Sequence, residues 1–372
     1  MANDLGLGVI GAGGFGLFAL QHFTQVEGIK LAAMAGTHRE PALAMAKRFD
    51  VPNLEDVDLL VGLDEVDLVY IATPPFLHYQ QALSALRNGK HVICEKPLAM
   101  TVAEGTELVS LAREQGLVAV ANLMQRYNPV YHLVTELMEL RPLGELLHGF
   151  FENYASDEGL QPEHWFWDRA KSGGIFVEHG VHFFDMFTGW LGPGQVVAAQ
   201  RTLRPGTDDV EEQVNCTVRH GEVLVNMYHG FTQASKMDRQ EFRLVFEMGD
   251  ISLLGWIPTR VHVRALADES ATKVLMDLFS GARLDISETY RGSGRSMRSR
   301  DRERDASQRI DLRWGEEAEK LHRYGDLLRA MLSDQLTWVR DPSHRRQIDE
   351  QNGLDSLILA SRASELSLEG FD

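Results

Sequence analysis

The sequence is poor in cysteine and has neither a long apolar run nor an excess of positive charge. Its 372 residues include two cysteines, Cys94 and Cys216, far apart and without metal-ligand spacing. This usage favours neither a disulfide framework nor a cysteine metal site. No stretch reaches the roughly 18 consecutive apolar residues that a membrane helix needs. The first apolar run begins at Leu5, which leaves no room for a signal peptide, so we expect a cytoplasmic protein without a membrane span.

The charge balance excludes a further class of partner. With 54 acidic against 37 basic residues, the net charge is −17, which opposes non-specific attraction to nucleic acids and anionic membranes. The chain is 44% hydrophobic and 24% charged, a composition typical of globular proteins. Its length exceeds what one small core requires, so we expect two domains.

The first third of the chain alternates short apolar runs with segments of helical periodicity. Predicted strands cover residues 5–10, 31–35, 68–72, 91–94 and 118–121, with a weaker candidate near Pro52. Predicted helices cover residues 15–26, 41–49, 77–88 and 102–115. This alternation is typical of parallel strands joined by crossover helices. We predict an α/β fold that begins with a doubly wound parallel sheet of the Rossmann type in residues 1–122.

From residue 123 onward the strands become longer and turn residues separate them. After a predicted helix at 129–140, predicted strands cover residues 146–154, 196–203, 213–218, 223–229, 242–247 and 261–263. Residues 123–372 are therefore predicted to form an α+β domain with a large, mostly antiparallel open sheet. Helices are predicted at 316–332 and 354–368, and the second of these could pack back on the first domain.

An arginine-rich segment interrupts the second domain at about residues 288–312. Seven arginines lie between Arg291 and Arg309, mixed with serine, glycine and acidic residues. Because the segment has little apolar periodicity, we interpret it as a solvated insertion in preference to a specific anion site.

A glycine-rich turn joins the first predicted strand to the first helix. Gly11, Gly13 and Gly16 form a G-x-G-x-x-G pattern that also contains Gly14 and Phe15. In this position the pattern predicts dinucleotide binding, because glycine permits a tight turn, close approach of a pyrophosphate and close packing of helix on strand. The helix N-terminus attracts the anion.

The end of the second strand bears on which dinucleotide binds. An NAD site usually has an acidic residue there to hold the ribose hydroxyls, but the sequence reads Gly36, Thr37, His38 and Arg39. Gly36 leaves space, Thr37 can donate a hydrogen bond, and Arg39 can pair with a 2′-phosphate. NADP is therefore favoured over NAD. Two alternatives stay open: a shift of one residue returns the Glu40 carboxylate to the ribose, and Arg39 could be a solvated helix residue.

A lysine follows the fourth of the strongest predicted strands, at the sheet edge where ligands bind in open α/β folds. Lys96 lies between Glu95 and Pro97, and the proline disfavours helix at Lys96. By spacing alone, Lys96 is as compatible with a surface position as with a reaction centre.

A second group of titratable residues lies in the second domain. Glu178, His182 and Asp185 are spaced at i, i+4 and i+7, so a helix would place them on one face. A carboxylate one turn from an imidazole can raise its pKa and orient it, as a general base requires. The alternative is that His182 and Asp185 are polar residues of a core helix.

His179 lies next to this group but faces elsewhere on an ideal helix. It points about 100° away from Glu178 and is expected to pack or to shape the substrate site. A metal site built from Glu178, His179 and His182 lacks an evident further ligand, so no metal is predicted.

These motifs together resemble the Gfo/Idh/MocA family, named after glucose-fructose oxidoreductase, inositol dehydrogenase and a rhizopine-catabolism protein. The resemblance covers the first domain and about the first third of the second, and it becomes vague beyond Arg201. It implies that Lys96 lies beside the nicotinamide and that His182 is a catalytic histidine. Glu178 stands where the family usually has aspartate, and its carboxylate is implied to orient His182 or the substrate. The matching segments are residues 11–16, 71–75 with His78, 89–99 and 172–185.

The resemblance extends to the rest of the site. Beyond the glycine turn and the residues after the second strand, the implied cofactor contacts are Ala72, Thr73, Pro74, His78, Glu95, Lys96 and Gln125. The candidate substrate contacts are Lys96, Arg126, Tyr127, Trp165, Glu178, His182 and Asp185. Trp165 and Trp167 could form an apolar wall for a sugar ring, or could equally belong to the core.

The combined pattern predicts an NAD(P)-dependent oxidoreductase that acts on a CH–OH group. It would transfer a hydride between the nicotinamide and a sugar, polyol or related hydroxyl or carbonyl compound, with Lys96, His182 and Glu178 as catalytic groups. Two alternatives stay open: a non-catalytic regulator that senses NAD(P) or another ligand, and an NAD-dependent redox glycosidase. A homodimer or homotetramer is expected, because an uncovered apolar face of the second sheet would require a partner.

Overall fold

The computed structural model of the chain describes residues 4–36, 39–157, 159–316 and 320–369. Within these residues the strands form one sheet of six, one sheet of nine and a separate two-stranded hairpin. The predicted combination of a parallel Rossmann sheet and a large, mostly antiparallel sheet is confirmed.

The first sheet is parallel throughout its described strands. These are β1 (Leu5–Ile10), β2 (Ile29–Ala35), β3 (Asn53–Leu54), β4 (Leu68–Ile71), β5 (His91–Cys94) and β6 (Ala119–Ala121), in the order β3-β2-β1-β4-β5-β6. The helices that join them are α1 (Gly14–Phe23), α2 (Glu40–Phe49), α3 (Val57–Val61), α4 (His78–Arg87) and α5 (Val102–Gln115). The strand order reverses between β1 and β4, and this reversal opens a crevice at their carboxyl ends.

Local sequence signals explain several of these boundaries. Before α5, the Thr101 side chain accepts from the Glu104 backbone and the Glu104 side chain accepts from the Thr101 backbone, which completes a capping box. Gly116 ends the helix at a φ of 67°, in the left-handed region that glycine adopts readily. The strands read as continuous apolar runs because β1 and β4 are buried almost completely.

The second sheet is antiparallel except for one pair among its described strands, β7 with β10. Its strands are β7 (Leu146–Tyr154), β8 (Gln195–Leu203), β9 (Glu211–His220), β10 (Val223–Gly230), β11 (Arg239–Phe246), β12 (Gly249–Leu254), β13 (Arg260–Ala267), β14 (Arg283–Thr289) and β17 (Gln308–Trp314). The hairpin consists of β15 (Ser296–Ser299) and β16 (Arg302–Asp305). The sheet order is β14-β17-β13-β12-β11-β7-β10-β9-β8.

The remaining described helices belong to the second part of the chain. They are α6 (Pro129–Leu140), α7 (Arg169–Ser172), α8 (Val181–Leu191), α9 (Glu269–Leu278), α10 (Lys320–Arg340) and α11 (Glu350–Leu368). Short 3₁₀ helices occur at Pro75–Leu77, Met124–Tyr127, Trp165–Trp167 and Gly292–Arg295, and a π-helical turn occurs at Phe176–Gly180. Phe183 of α8 stacks on Phe151 of β7 with ring centroids 3.6 Å apart, so the sheet core lies directly beneath the helix.

The C-terminal helix α11 bridges the two parts of the chain. It packs on helix α5 and strand β6 in the first part of the chain, and on helix α8 and strand β8 in the second. The close approach depends on glycine, because a Cβ at Gly353 would lie 3.1 Å from Ala121 and 3.4 Å from Leu98.

The arginine-rich segment has more regular structure than its sequence pattern predicted. It contains the β15–β16 hairpin and most of β17, in which buried Ile310 and Leu312 alternate with polar residues. Several of its arginines form ion pairs along the strands: Arg295 with Asp305, Arg304 with Glu247, and Arg309 with Glu288. The sequence pattern did not predict a strand at β17, because its two-residue alternation is short and lies among charged residues.

Among the described helices, none combines the length and the apolar character required to cross a bilayer.

Candidate active site

A cavity of about 690 Å³ lies beyond the carboxyl ends of β4 and β5 and extends to the second sheet. From the first part of the chain it is lined by Phe15, Ala72, Thr73, Pro74, Pro75, Glu95 and Lys96. From the second part it is lined by Asn153, Ala155, Asp157, Leu160, His164, Trp165, Phe166, Glu178, His179, His182, Phe231, Asp238, Gln240, Trp256 and Tyr324. The predicted reaction-centre residues Lys96, Glu178 and His182 thus share one cavity.

The glycine turn after β1 is built for close approach of a ligand to the backbone. Gly11 has a φ of 85°, which disfavours any other residue. A Cβ at Gly16 would lie 2.2 Å from the Gly11 carbonyl oxygen, so this glycine serves the packing of helix on strand. A Cβ at Gly13 or Gly14 would meet no described atom within 4 Å. The start of α1 therefore faces open space, as a pyrophosphate requires, and the turn fits a dinucleotide.

The residues after β2 are only partly described. Gly36 has a φ of 74°, and its backbone N–H donates to the Leu54 carbonyl oxygen at 3.2 Å. Arg39 is exposed and precedes α2, whose first residue is Glu40. Thr37 and His38, which were predicted to contact the cofactor, lie outside the described residues.

Two predicted cofactor residues lie behind the cavity wall. His78 is fully buried, with its ring nitrogens 2.7 Å from the Pro97 carbonyl oxygen and 2.8 Å from that of Thr73. Burial lowers the pKa of His78 although both carbonyl contacts oppose the change. Gln125 is also buried and donates to the Trp256 carbonyl oxygen at 2.5 Å. Both side chains connect backbone segments and neither lines the cavity, so their contact with the cofactor stays a prediction.

Lys96 is held at the turn after β5 by two hydrogen bonds. Its Nζ donates to the Glu178 Oε1 at 2.5 Å and to the Glu178 carbonyl oxygen at 2.8 Å. Its side chain is 17% exposed and lines the cavity. The ammonium group has three donors, so one remains for a ligand.

Glu95 supports the same turn from beneath. Its Oε1 accepts from the Tyr70 hydroxyl at 2.6 Å and from Asn122 Nδ2 at 2.7 Å. Burial raises the pKa of Glu95, and these hydrogen bonds and the charge of Lys96 oppose the rise.

Glu178 and His179 lie on the π-helical turn that precedes α8. The turn begins after Gly173 and Gly174, which have φ values of 81° and 86°, and the Ile175 N–H donates to the Glu211 carboxylate at 2.9 Å. Both Glu178 and His179 face the cavity, with His179 Nδ1 lying 3.5 Å from the Glu178 Oε2. A π-helical turn is wider than an α-helical turn, which changes the angle between successive side chains. Glu178 and His179 can therefore line the same cavity.

Glu178 is ionised and bound to Lys96, contrary to the predicted pairing with His182. Burial alone would raise the pKa of Glu178, but the charge of Lys96 and the hydrogen bonds from His179 and Lys96 hold it well below its usual range. Its two carboxylate oxygens contact Lys96 and His179. Among the described residues Glu178 therefore contacts Lys96 and His179 and makes no hydrogen bond to His182, while its predicted role in orienting the substrate stays a prediction.

His182 lines the cavity with a nearly buried imidazole ring. It is 2% exposed, and its Nδ1 has no hydrogen-bond partner among the described residues. Burial, together with the positive charge of Lys96, lowers the pKa of His182 well below its usual value. Its ring packs edge-on against Trp256, with centroids 5.9 Å apart.

Three predicted substrate contacts lie outside the cavity lining. Arg126 donates from Nε and Nη2 to the two oxygens of Asp185, at 2.8 Å and 2.9 Å. Both side chains are nearly buried, so each compensates the charge of the other. The Tyr127 hydroxyl donates to Asp334 of α10 at 2.6 Å. In this structure the three residues make structural contacts, and their contact with the substrate stays a prediction.

Aromatic residues form much of the remaining wall. Trp165 lines the cavity, whereas Trp167 is buried outside it beneath the guanidinium group of Arg204, 4.2 Å from the ring centroid. Trp256 and Tyr324 also line the cavity, although no sequence pattern predicted them as site residues. Trp256 packs 4.4 Å from the His179 ring centroid, and Tyr324 of α10 packs 5.2 Å from that of Phe15. Each belongs to a segment distant in sequence from the motifs it meets, so no local pattern marks it.

Comparisons with known proteins agree with this architecture. Among curated proteins, the chain is similar to an uncharacterized oxidoreductase of Synechocystis sp., with 34% identity over 209 residues that cover 54% of this chain and 55% of that protein. It is also similar to 1,5-anhydro-D-fructose reductase of Ensifer adhaerens, with 31% identity over 207 residues that cover 54% of this chain and 62% of that protein. The matched region thus spans less than two thirds of the length of these relatives.

A solved structure extends the similarity of fold to nearly the whole chain. Levoglucosan dehydrogenase in complex with NADH and levoglucosan has a TM-score of 0.76, covering 99% of this chain and 98% of that chain. The sequence identity is 18%, so this likeness shows the fold alone.

Family models match both parts of the chain in succession. Residues 5–123 match the oxidoreductase family with an NAD-binding Rossmann fold, and residues 131–252 match the GFO/IDH/MocA C-terminal domain. With the glycine turn in the first match and the Lys96 partner Glu178 in the second, the chain belongs to the Gfo/Idh/MocA family of oxidoreductases.

Proposed function

We propose that the protein is an NAD(P)-dependent dehydrogenase or reductase that acts on a CH–OH group of a sugar, polyol or related compound. The observation that carries the proposal is the convergence of Lys96, Glu178 and His182 on one cavity beside the glycine turn. When bound, the nicotinamide would supply the hydride acceptor or donor. Gly11, Gly13, Gly14, Phe15 and Gly16 would hold the dinucleotide.

Lys96 would stabilise the reacting oxygen. Two of its three ammonium hydrogens are engaged by Glu178, and the third is available to a substrate oxygen in the cavity. In the oxidative direction a positive charge at this point stabilises the developing alkoxide, and in the reductive direction it polarises the carbonyl. The role of Glu178 in this proposal is to position Lys96.

His182 would move the proton. In the oxidative direction the hydroxyl proton passes to a neutral imidazole nitrogen of His182 while the C–H bond gives up its hydride. In the reductive direction the protonated imidazole returns the proton to the oxygen. The lowered pKa of His182 keeps the imidazole neutral near pH 7, as the base of an alcohol oxidation requires.

The residues after β2 favour NADP over NAD in this proposal. Arg39 is exposed at the start of α2 and makes no ion pair with another described residue, so its guanidinium group is available for a 2′-phosphate. Gly36 leaves room beside Gly11, since a Cβ there would lie 3.9 Å from the Gly11 nitrogen.

We further propose that the chain has two domains with different functions. Residues 1–122 would bind the cofactor, and residues 123–372 would bind the substrate and form a homodimer or homotetramer through the nine-stranded sheet. Half-buried aromatic side chains on that sheet, such as the Tyr154 and Tyr228 pair at a centroid distance of 4.9 Å, support an interface there. Light scattering coupled to size-exclusion chromatography measures the assembly, and a monomer would contradict it.

The proposed function is tested by titrating the protein with NADPH and NADH and then adding a panel of sugars and polyols. Net cofactor turnover that Lys96→Met and His182→Asn abolish supports it. Binding without turnover would identify a sensor, and glycosidic bond cleavage without net cofactor consumption would identify a redox glycosidase. Full turnover by both variants would overturn the assignment of catalytic groups.

A further inference from the structure

The cavity wall formed by the second sheet has a charge pattern that hydride transfer does not require. Among the described residues that line the cavity, Lys96 is the only lysine or arginine, and its charge is compensated by Glu178. Besides Glu178, the carboxyl groups of Glu95, Asp157 and Asp238 line it, and the last two lie on the side of the second sheet. The substrate wall is therefore negative.

The two carboxylates belong to adjoining segments. Asp157 follows the end of β7 by three residues, and Asp238 immediately precedes β11. Asp238 Oδ1 accepts from the backbone N–H of Ser156 at 2.9 Å, which holds the loop before β11 against the residue preceding Asp157. Asp157 Oδ1 accepts from the Gly159 N–H at 3.0 Å. Each carboxylate has an oxygen beyond these contacts that can accept from a ligand.

Asn153 adds an independent sign of a ligand at this wall. It is fully buried and lines the cavity, and its Oδ1 accepts from Gln240 Nε2 at 3.0 Å. Its Nδ2 has no hydrogen-bond partner among the described residues. A buried amide donor left without a partner is costly, and an acceptor oxygen in the cavity would complete its hydrogen bonding.

We propose that the substrate is a ring-shaped polyhydroxy compound without phosphate or another anionic group, held by Asn153, Asp157 and Asp238. Asn153 Nδ2 donates to a hydroxyl oxygen, and the two carboxylates accept from hydroxyl groups or from an ammonium group on the ring. Trp165 and Trp256 supply apolar surface for its C–H face. This inference rests on the proposed function and narrows its substrate class.

Exclusion of anionic substrates follows from the same wall. A phosphate bound there would face two carboxylates, and Lys96, the only lysine or arginine among the described residues of the lining, is already engaged by Glu178. Like charges juxtaposed in a site reduce affinity strongly, so we expect free sugars to exceed their monophosphates in kcat/KM by at least about tenfold.

The test compares matched substrates with the purified full chain and its preferred cofactor. The panel contains free hexoses and inositols, the corresponding 2-amino-2-deoxyhexoses and the corresponding monophosphates. Higher kcat/KM for the free or amino compound in each matched set supports the inference. A preference for the monophosphate overturns it while leaving the oxidoreductase function intact. Absence of turnover with every compound overturns both.

Variants of the wall make the test specific. Asp238→Asn retains the acceptor for Ser156 and removes one charge, so the preference for free sugar over monophosphate should fall by about threefold or more. Asp157→Asn provides the same test at an independent position. Asp277→Asn makes the same change on the exposed face of α9, where Asp277 pairs with Lys273, and should leave the ratio unchanged. If the ratio of kcat/KM for free sugar to that for monophosphate is the same in all three variants and in the parent protein, the carboxylates do not exclude anionic substrates and the inference is overturned.

Asn153→Leu tests the amide separately. It should raise KM for the free sugar by about tenfold with little change in the cofactor Kd. An unchanged KM in a folded variant would remove Asn153 from the substrate site.

Discussion

The ion pair between Lys96 and Glu178 predicts a specific pattern of stability. Lys96→Met removes the cation 2.5 Å from a carboxylate whose side chain is 9% exposed. Breaking a buried ion pair costs roughly 3–5 kcal/mol, because the remaining charge stays buried without a partner. Since Lys96 itself is 17% exposed, we expect a loss near the lower limit, about 3 kcal/mol in the free energy of unfolding at pH 7.5.

The double variant Lys96→Met/Glu178→Gln is the matched control. It removes the uncompensated charge, so it should be more stable than Lys96→Met alone by about 2 kcal/mol. Urea unfolding followed by tryptophan fluorescence measures both. Equal stability of the single and double variants would refute the claim that a charged Glu178 depends on Lys96.

The same pair predicts a pH dependence with a definite sign. In the parent protein the pKa of Glu178 is depressed, so its contribution to stability is present above the ordinary carboxyl pKa and is lost as pH falls below it. In Lys96→Met, burial is no longer opposed by the lysine charge, and the pKa should rise. The difference in the free energy of unfolding between this variant and the double variant should therefore become smaller as the pH falls from 7.5 to 5. A deficit that stays constant over this range would contradict the assigned charge state.

Three further predictions concern the cofactor and the base. Because burial lowers the pKa of His182, kcat/KM for alcohol oxidation should stay level from pH 7.5 to pH 6.5, and a fall that sets in above pH 6.5 would contradict this role. Gly13→Ala should weaken cofactor binding without loss of thermal stability, since a Cβ there meets no described atom within 4 Å. Gly16→Ala should lower the Tm, because a Cβ there lies 2.2 Å from a carbonyl oxygen. Equal losses of Tm in the two variants would contradict this difference. Arg39→Ala should raise KM for NADP by about tenfold or more and leave KM for NAD unchanged; parallel changes in both would contradict the NADP preference.

Local signals were sufficient for much of the fold. The predicted bounds of β1, β5, α5, α6 and β7 agree with the structure, because each is marked by apolar periodicity or by a cap within its own residues. The elements β12, α9 and β14 were not predicted from the sequence. The strand β17 was not predicted because only Ile310 and Leu312 mark a strand that is otherwise polar and charged.

The candidate site shows the same division between local and distant signals. The motifs led to Lys96 and His182, but ideal helical geometry placed Glu178 on the face of His182 and turned His179 about 100° away from it. The π-helical turn changes both expectations, and sequence spacing carries no sign of it. Trp256 reaches the cavity from the loop between β12 and β13, so only the tertiary fold brings it to the motifs.

Asn153 did have a signal in the sequence that was not used. It occupies a buried position of β7 that alternates with partly buried ones, in register with Gly149 and Phe151. A polar residue on the buried face of a strand requires a hydrogen-bond partner. Polar residues at such positions are therefore candidates for ligand contact even when they match no motif.

Direct hydride transfer between substrate and nicotinamide is the central claim, and isotope transfer tests it most directly. A sugar or polyol turned over by the protein is labelled with deuterium at the carbinol carbon and incubated with the oxidised cofactor, and the product cofactor is analysed by mass spectrometry and NMR. We expect one deuterium at C4 of the nicotinamide, a slower rate than with the unlabelled compound, and loss of transfer in Lys96→Met. Oxidation of the substrate without deuterium in the cofactor would contradict it.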